Sequence, residues 1–316
     1  MRFVGLIILT VGIATLVMVY RLPLLIFLLS FEGTPNLEPP SDKEQGRWVD
    51  DYYTVQSIDD RTIAIGEPRY WQANYSYLIM GSDSAILFDS GPGVRNIEPL
   101  VRQLTPLPVT VISSHLHYDH TGNNHRFNSK AMLDIPMLRQ QAHLGKIELS
   151  ASQHLGENEG FAVPALEVNH WWAPGQLIDL GQRQLEVIST PGHTPESIML
   201  YDTDQQQLFS GDYIYEGPLF GFLPGSSLPD YLRSAEQLIG KIAATTIIYS
   251  AHRSASNGIP LLGYRDLTDL RDTLLDIRAG TVTGDSYYPR IYPVNEKMKL
   301  YTDVPWLVNW ETIGSP

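Results

Sequence analysis

The sequence predicts a layered α/β domain in which two sheets pack face to face. Short apolar runs of strand length come in two series, at 61–66, 75–80, 84–88 and 109–113, and again at 184–190, 197–201, 206–210 and 245–250. Turns rich in Gly, Pro or Asp separate them, as in sheet meanders. Helical periodicity accompanies each series, and strands followed by helices, twice over, give layers around a shared core. The chain has 316 residues, 43% of them hydrophobic and 18% charged, enough for such a core and an extra apolar segment.

The N-terminal stretch stands apart. Phe3 to Tyr20 carries no charge, and the apolar run resumes after Arg21 and Pro23 as far as Phe31. A run of that length is long enough to cross a bilayer. A cleaved signal peptide competes with this reading, but it should be shorter and end in small residues, whereas this run ends Leu28-Leu29-Ser30-Phe31-Glu32. The expectation is an uncleaved membrane anchor over 1–31, followed by a Pro-bearing linker over 32–50. Arg2 and the α-amino group precede the span, and acidic residues outnumber Lys43 after it. The positive-inside rule then leaves the rest of the chain extracytoplasmic, which is periplasmic in a Gram-negative bacterium.

Along the body, 94–104 reads as a helix with Ile97, Leu100, Val101 and Leu104 on one face. A second helix is expected over 136–145. Residues 146–180 show no regular period and read as a long loop or lid. Ser227-Leu228-Pro229-Asp230 carries a capping pattern that opens a helix to about residue 242. The amphipathic stretch 264–279 ends at Gly280. The domain is expected over 51–280, with 281–316 as a C-terminal extension without clear period.

The chemistry starts at Ser113-Ser114-His115-Leu116-His117-Tyr118-Asp119-His120, directly after a buried strand. Three imidazoles and a carboxylate within six positions, at a strand end, can converge on one point. Nitrogen and oxygen donors of this kind suit zinc, manganese or iron. Three later positions repeat the context of a strand end, a small residue and a ligand type: Gly192-His193, Gly211-Asp212 and Ala251-His252. Together they make seven candidate ligands, five His and two Asp, about the number that two ions sharing one carboxylate require. His125, His143, His154 and His170 lack that context and read as structural or surface residues. With no Cys, thiolate ligands and disulfides are excluded. A formal net charge of −13 argues against a nucleic-acid partner.

The order His115-x-His117-x-Asp119-His120, His193, Asp212, His252, with Asp89-Ser90-Gly91 before it, resembles the metallo-β-lactamase-fold hydrolase superfamily over about residues 50–280. The resemblance implies an αββα four-layer sandwich with the site at one sheet edge. It implies two divalent ions, zinc being expected. His115, His117 and His193 would hold one ion, Asp119, His120 and His252 the other, with Asp212 bridging. Asp89 would orient the metal loop.

Departures among relatives narrow the activity. Asp212 is missing from the true β-lactamases that the motif otherwise resembles, and flavodiiron relatives carry Glu where His117 stands. What remains resembles glyoxalase II-like thioesterases, lactonases and the acyl-CoA thioesterase branch. The expected activity is hydrolysis of an ester-type bond, an acyl thioester or a lactone, in a small-molecule substrate that can carry an acyl chain. Asp119 is the residue expected to receive the hydroxide proton. Tyr215 is either a hydrogen-bond donor to the developing oxyanion, as in the lactonases, or a core or rim aromatic. Likewise, the apolar residues 219–223 either line an acyl pocket or belong to the core. A mononuclear iron sulfur dioxygenase and a β-lactamase-like amide hydrolase stand as alternatives of the same fold.

Overall fold

In the computed structural model of the chain, which describes residues 37–254 and 257–311, strand alternation accounts for the layers. Along Asn74–Met80, Tyr77 and Ile79 point into one apolar cluster and Leu78 into another. The neighbouring strand Ala85–Phe88 divides the same way, Ile86 and Phe88 against Ala85 and Leu87. Both faces are therefore buried, which is why these strands read as continuous apolar runs.

The first sheet has eight strands, in the spatial order Arg47–Trp48, Thr54–Asp59, Thr62–Glu67, Asn74–Met80, Ala85–Phe88, Val109–Ile112, Ser129–Leu133 and His170–Trp172. Its first five strands pair antiparallel, and parallel pairing takes over from Ala85–Phe88 onward. The second sheet has six, in the order Leu177–Asp179, Gln184–Ser189, Ile198–Asp202, Gln207–Phe209, Ile247–Tyr249 and Leu261–Gly263.

Between the sheets lies one core, with Tyr77, Ile86 and Phe88 meeting Leu185, Val187 and Phe209. Outside the first sheet, the helix Glu98–Leu104 buries Leu100 and Val101 on Leu78 and Leu87. Outside the second, the helices Leu228–Lys241 and Tyr264–Ala279 bury Leu232, Leu238, Leu270 and Leu274 on Met199, Leu208 and Ile248. The layers run helix, sheet, sheet, helix.

Ser227 caps its helix as its sequence predicts, its side chain accepting from the Asp230 amide. Gly280 closes the last helix in the left-handed region. Elsewhere the structure corrects the sequence reading. The helix expected over 94–104 begins only at Glu98, where Pro99 occupies the first turn. The one expected over 136–145 stops at Gln141 and turns into a hairpin. Residues 146–180 are no featureless lid. Lys146–Glu148 and Ala165–Glu167 pair with each other, and His170–Trp172 extends the first sheet.

Residues past 280 contribute the antiparallel pair Arg290–Pro293 and Met298–Thr302. The latter pairs in parallel with Gly217–Gly221, so the apolar stretch after Tyr215 is a strand. The expected anchor over 1–31 lies outside the described residues. Among the described residues, no helix is long and apolar enough to cross a membrane.

Candidate metal centre

Two parallel neighbours of the first sheet end side by side, with Phe88 opposite Ile112, so the turns that follow them meet. Asp89 opens one turn and the histidine loop forms the other. Oδ1 of Asp89 accepts from the Ser114 amide at 2.6 Å, and its Oδ2 accepts from Nδ1 of His120 at 3.0 Å. The backbone at Asp89 is left-handed, φ +64°, a region Asp tolerates better than most residues. One buried carboxylate thus fixes both the start of the loop and the ring of a ligand. Gly91 is required beside it. Its φ is +68°, and a Cβ there would stand 1.8 Å from Oε1 of the buried Glu67.

The second sheet supplies single residues at its strand ends. His193 follows Gln184–Ser189, Asp212 follows Gln207–Phe209 and His252 follows Ile247–Tyr249. Gly211, at φ +53°, lets that chain pass Ser114, where a Cβ would come within 2.3 Å of the serine Cβ. All seven predicted ligands are brought together, and all are buried.

They fall into two groups, each with its donor atoms within 4.8 Å of one another: His115, His117 and His193, and then Asp119, His120, Asp212 and His252. In the first, Nδ1 of His117 lies 2.8 Å from Nε2 of His115 and 3.1 Å from Nε2 of His193. Tetrahedral zinc would separate such nitrogens by about 3.3 Å. In the second, Nε2 of His120 is 3.2 Å from Asp119 Oδ2 and 3.3 Å from Asp212 Oδ1, while Nε2 of His252 is 3.3 and 3.0 Å from the same oxygens. Despite those distances, Nε2 of both histidines and Oδ1 of Asp212 make no hydrogen bond. Buried polar atoms aimed at a common point without a partner are what a cation would satisfy, so the residues fit a metal pair. Asp212 faces both groups, Oδ1 toward the second and Oδ2 lying 3.8 Å from Nε2 of His193.

The outer ring nitrogens are fixed. Nδ1 of His193 donates to the Phe220 carbonyl at 2.9 Å and Nδ1 of His252 to that of Gln72 at 3.1 Å. Asn74 holds Asp119, donating to its carbonyl at 2.9 Å and its Oδ2 at 3.1 Å. Sequence reasoning missed Asn74. Its signal was faint: a polar residue opening a strand that is otherwise buried on both faces.

The electrostatics of the groups diverge. Burial, then the neighbouring rings, pushes His115 well below the usual imidazole range and His117 down to about 3; burial likewise lowers His193. Those rings are neutral and present lone pairs. Burial also works against protonation of His120 and His252, but carboxylates overcome it. Asp119, Asp89 and Asp212 hold His120 well above its ordinary value, and Asp212 with Asp119 raises His252 to about 10.

Above the ligands opens a cavity of about 480 Å³ lined by Trp71, Leu155, Phe220 and Leu223 among others. Of the apolar residues 219–223, Leu219 is core while Phe220 and Leu223 face the cavity. Tyr215 also lines it, its ring 5.2 Å from that of His252, and its hydroxyl donates to the Pro218 carbonyl.

A sequence profile of the metallo-beta-lactamase superfamily matches residues 69–252. The human acyl-coenzyme A thioesterase MBLAC2 is 29% identical over 212 residues, covering 60% of this chain and 76% of that protein. The probable metallo-hydrolase YqgX of Bacillus subtilis is 26% identical, covering 57% of this chain and 85% of its own. Among solved structures, a metallo-beta-lactamase from Pontibacter korlensis superposes with a TM-score of 0.51 over 71% of this chain and 99% of that one, at 18% identity, which shows the fold. The profile match spans more than half of the sequence and ends on the last ligand, His252, so this chain belongs to the metallo-beta-lactamase superfamily and is a metal-dependent hydrolase.

Proposed function

We propose that the enzyme cleaves an ester-type acyl bond, a thioester first and a lactone second, at a centre of two divalent ions, zinc by the nature of the donors. The observation that carries this is a floor of two buried ligand groups joined by Asp212 beneath a cavity with apolar walls. The thioesterase activity in the name of the human relative supports the acyl substrate. Bound there, the ions would give a hydroxide at neutral pH and polarise the carbonyl.

The chain's own residues do the rest. Trp71, Leu155, Phe220 and Leu223 take the acyl chain and exclude water. Water adds to the carbonyl carbon and the C–S or C–O bond breaks, giving an acid and a thiol from a thioester or a single hydroxy acid from a lactone. Asp119, steadied by Asn74, is the carboxylate that takes the proton from the attacking water and passes it to the leaving group. Tyr215 would reach a developing oxyanion only by releasing the Pro218 carbonyl.

Metal content and activity test this on the full chain. Two zinc ions per chain, with hydrolysis of an acyl thioester or lactone, is the expected result. One iron with oxygen consumption on a persulfide would replace it with the sulfur dioxygenase reading. Hydrolysis confined to β-lactams would replace it with the amide hydrolase.

The proposal includes an uncleaved anchor in residues 1–31 and an extracytoplasmic active site, supported by the uncharged run from Phe3 to Tyr20. Extraction by detergent but not by high salt, with the catalytic domain open to added protease in intact spheroplasts, is expected. Extraction by salt alone would remove the anchor from the proposal.

A further inference from the structure

One wall of the cavity is held from outside it. Tyr70, Trp71 and Tyr118 line the cavity, and all three donate to the carboxylate of Glu159, which stands behind them in the 3₁₀ turn Glu157–Glu159. Its Oε2 accepts from the Tyr70 hydroxyl at 2.5 Å. Its Oε1 accepts from the Tyr118 hydroxyl at 2.5 Å and from Trp71 Nε1 at 3.2 Å. The two hydroxyls lie 3.1 Å apart, and each has one proton to give, so a group that accepts without donating suits the spot. The three donors are not held alike. Tyr70 and Tyr118 are buried, and Tyr118 also stacks on Phe161 with ring centroids 5.3 Å apart, so packing keeps both in place. Trp71 is 56% exposed, and its ring is merely tilted against Tyr70 with centroids 6.2 Å apart. Little burial fixes that indole. Its bond to Glu159 does so instead, made to a carboxylate, the stronger kind of acceptor, that two tyrosines already anchor.

The consequence falls on the substrate. An acyl chain lying along Trp71 gains free energy for each methylene that the indole covers, whereas an indole free to swing away must first be immobilised. We propose that Glu159, although it lies outside the cavity lining, determines selectivity for acyl-chain length by holding Trp71 as a fixed wall; this rests on the acyl-ester hydrolysis proposed above. The tyrosines position Glu159, and Glu159 positions the indole. Phe220 and Leu223 face the same space from the second half of the chain, so an acyl chain is gripped from both sides when the indole is in place and from one side when it is not.

The test is an acyl series on one thiol, acetyl-, butanoyl- and hexanoyl-N-acetylcysteamine, with the metal-loaded full chain. For the unaltered enzyme kcat/KM should rise about two- to threefold per methylene, less than the roughly fourfold of complete burial because the cavity is open on one side. Glu159→Ala should lower the hexanoyl-to-acetyl ratio about tenfold, through a higher KM for the hexanoyl ester rather than a lower kcat. That ratio is blind to the fraction of enzyme folded or metal-loaded, so a merely structural loss does not move it. Trp71→Phe keeps both tyrosine bonds and an aromatic ring but loses the indole N–H. It should lower the ratio about threefold, and it carries the test if Glu159→Ala does not fold. In the Trp71→Ala background, adding Glu159→Ala should change the ratio less than twofold. An unaltered enzyme indifferent to chain length, or a ratio that neither Glu159→Ala nor Trp71→Phe lowers, would overturn the proposal while leaving thioester hydrolysis in place. So would an undiminished effect of Glu159→Ala in the Trp71→Ala background. Cleavage of none of the esters by the unaltered enzyme has a different signature: it would remove the thioester reading and this proposal together.

Discussion

The two ligand groups sit side by side yet are built on opposite electrostatic plans. His115, His117 and His193 form a trio that burial keeps neutral, with His117 lowered to about 3, so its lone pairs are ready for a cation. The quartet of Asp119, His120, Asp212 and His252 instead holds opposite charges, and His252 is raised to about 10. A metal entering the trio would displace little. One entering the quartet would displace protons that carboxylates hold in place. Asp212 faces both groups and couples them.

Removing that shared residue should have the largest effect. Asp212→Ala is expected to lower kcat/KM by about a thousandfold or more and to reduce metal content at both groups, checked by kinetics and elemental analysis. His117→Ala should cost as much activity while retaining about one ion in the quartet; full activity with unchanged metal content in either variant would sink the assignment. Asp89→Asn sharpens the contrast, because Asp89 touches His120 and not the trio. It should weaken one of two metal affinities by about 10- to 100-fold in a competition titration.

Glu67 extends the comparison to stability. It is fully buried, and burial raises its carboxyl from 4.5 to about 8, with Asp119 adding to the effect against the hydrogen bond from Tyr52. A raised folded value means the native state holds its proton after the unfolded chain has lost it. Stability from this group is therefore complete below about pH 4.5 and lost as pH rises to about 8. Glu67→Gln should remove that decline, up to about 1.4 kcal/mol per pH unit, from melting curves taken across the window. An unchanged slope would show that Glu67 does not titrate there. The smallest effect is expected from Tyr215→Phe, about a threefold loss in kcat with KM little changed, since its hydroxyl is already engaged by Pro218. No change at all would take Tyr215 out of the chemistry.

The same two halves explain how much could be read without coordinates. The cluster from His115 to His120 announces itself because its ligands sit in one turn. His193, Asp212 and His252 lie far apart in the chain, and only their repeated setting at strand ends linked them. Their partners were less legible. Asn74 reaches Asp119, and Glu159 collects hydrogen bonds from Tyr70, Trp71 and Tyr118, through contacts that no local pattern encodes. The strand His170–Trp172 escaped notice because it is three residues long and is held by a neighbour almost forty positions earlier. Residues past 280 lacked a period because their pairing partner is Gly217–Gly221, far upstream.

That last pairing carries a consequence for how the enzyme diversifies. Phe220 offers its side chain to the cavity and its carbonyl to Nδ1 of His193. Substitution at this position changes what fits inside and leaves the carbonyl where it was, so new tastes cost the catalytic floor nothing. Insertion or deletion of a residue in the ribbon formed with Met298–Thr302 would slide the carbonyl off the imidazole and unseat a ligand. Descendants of this chain should therefore vary freely in the letters of that ribbon and hardly at all in its length.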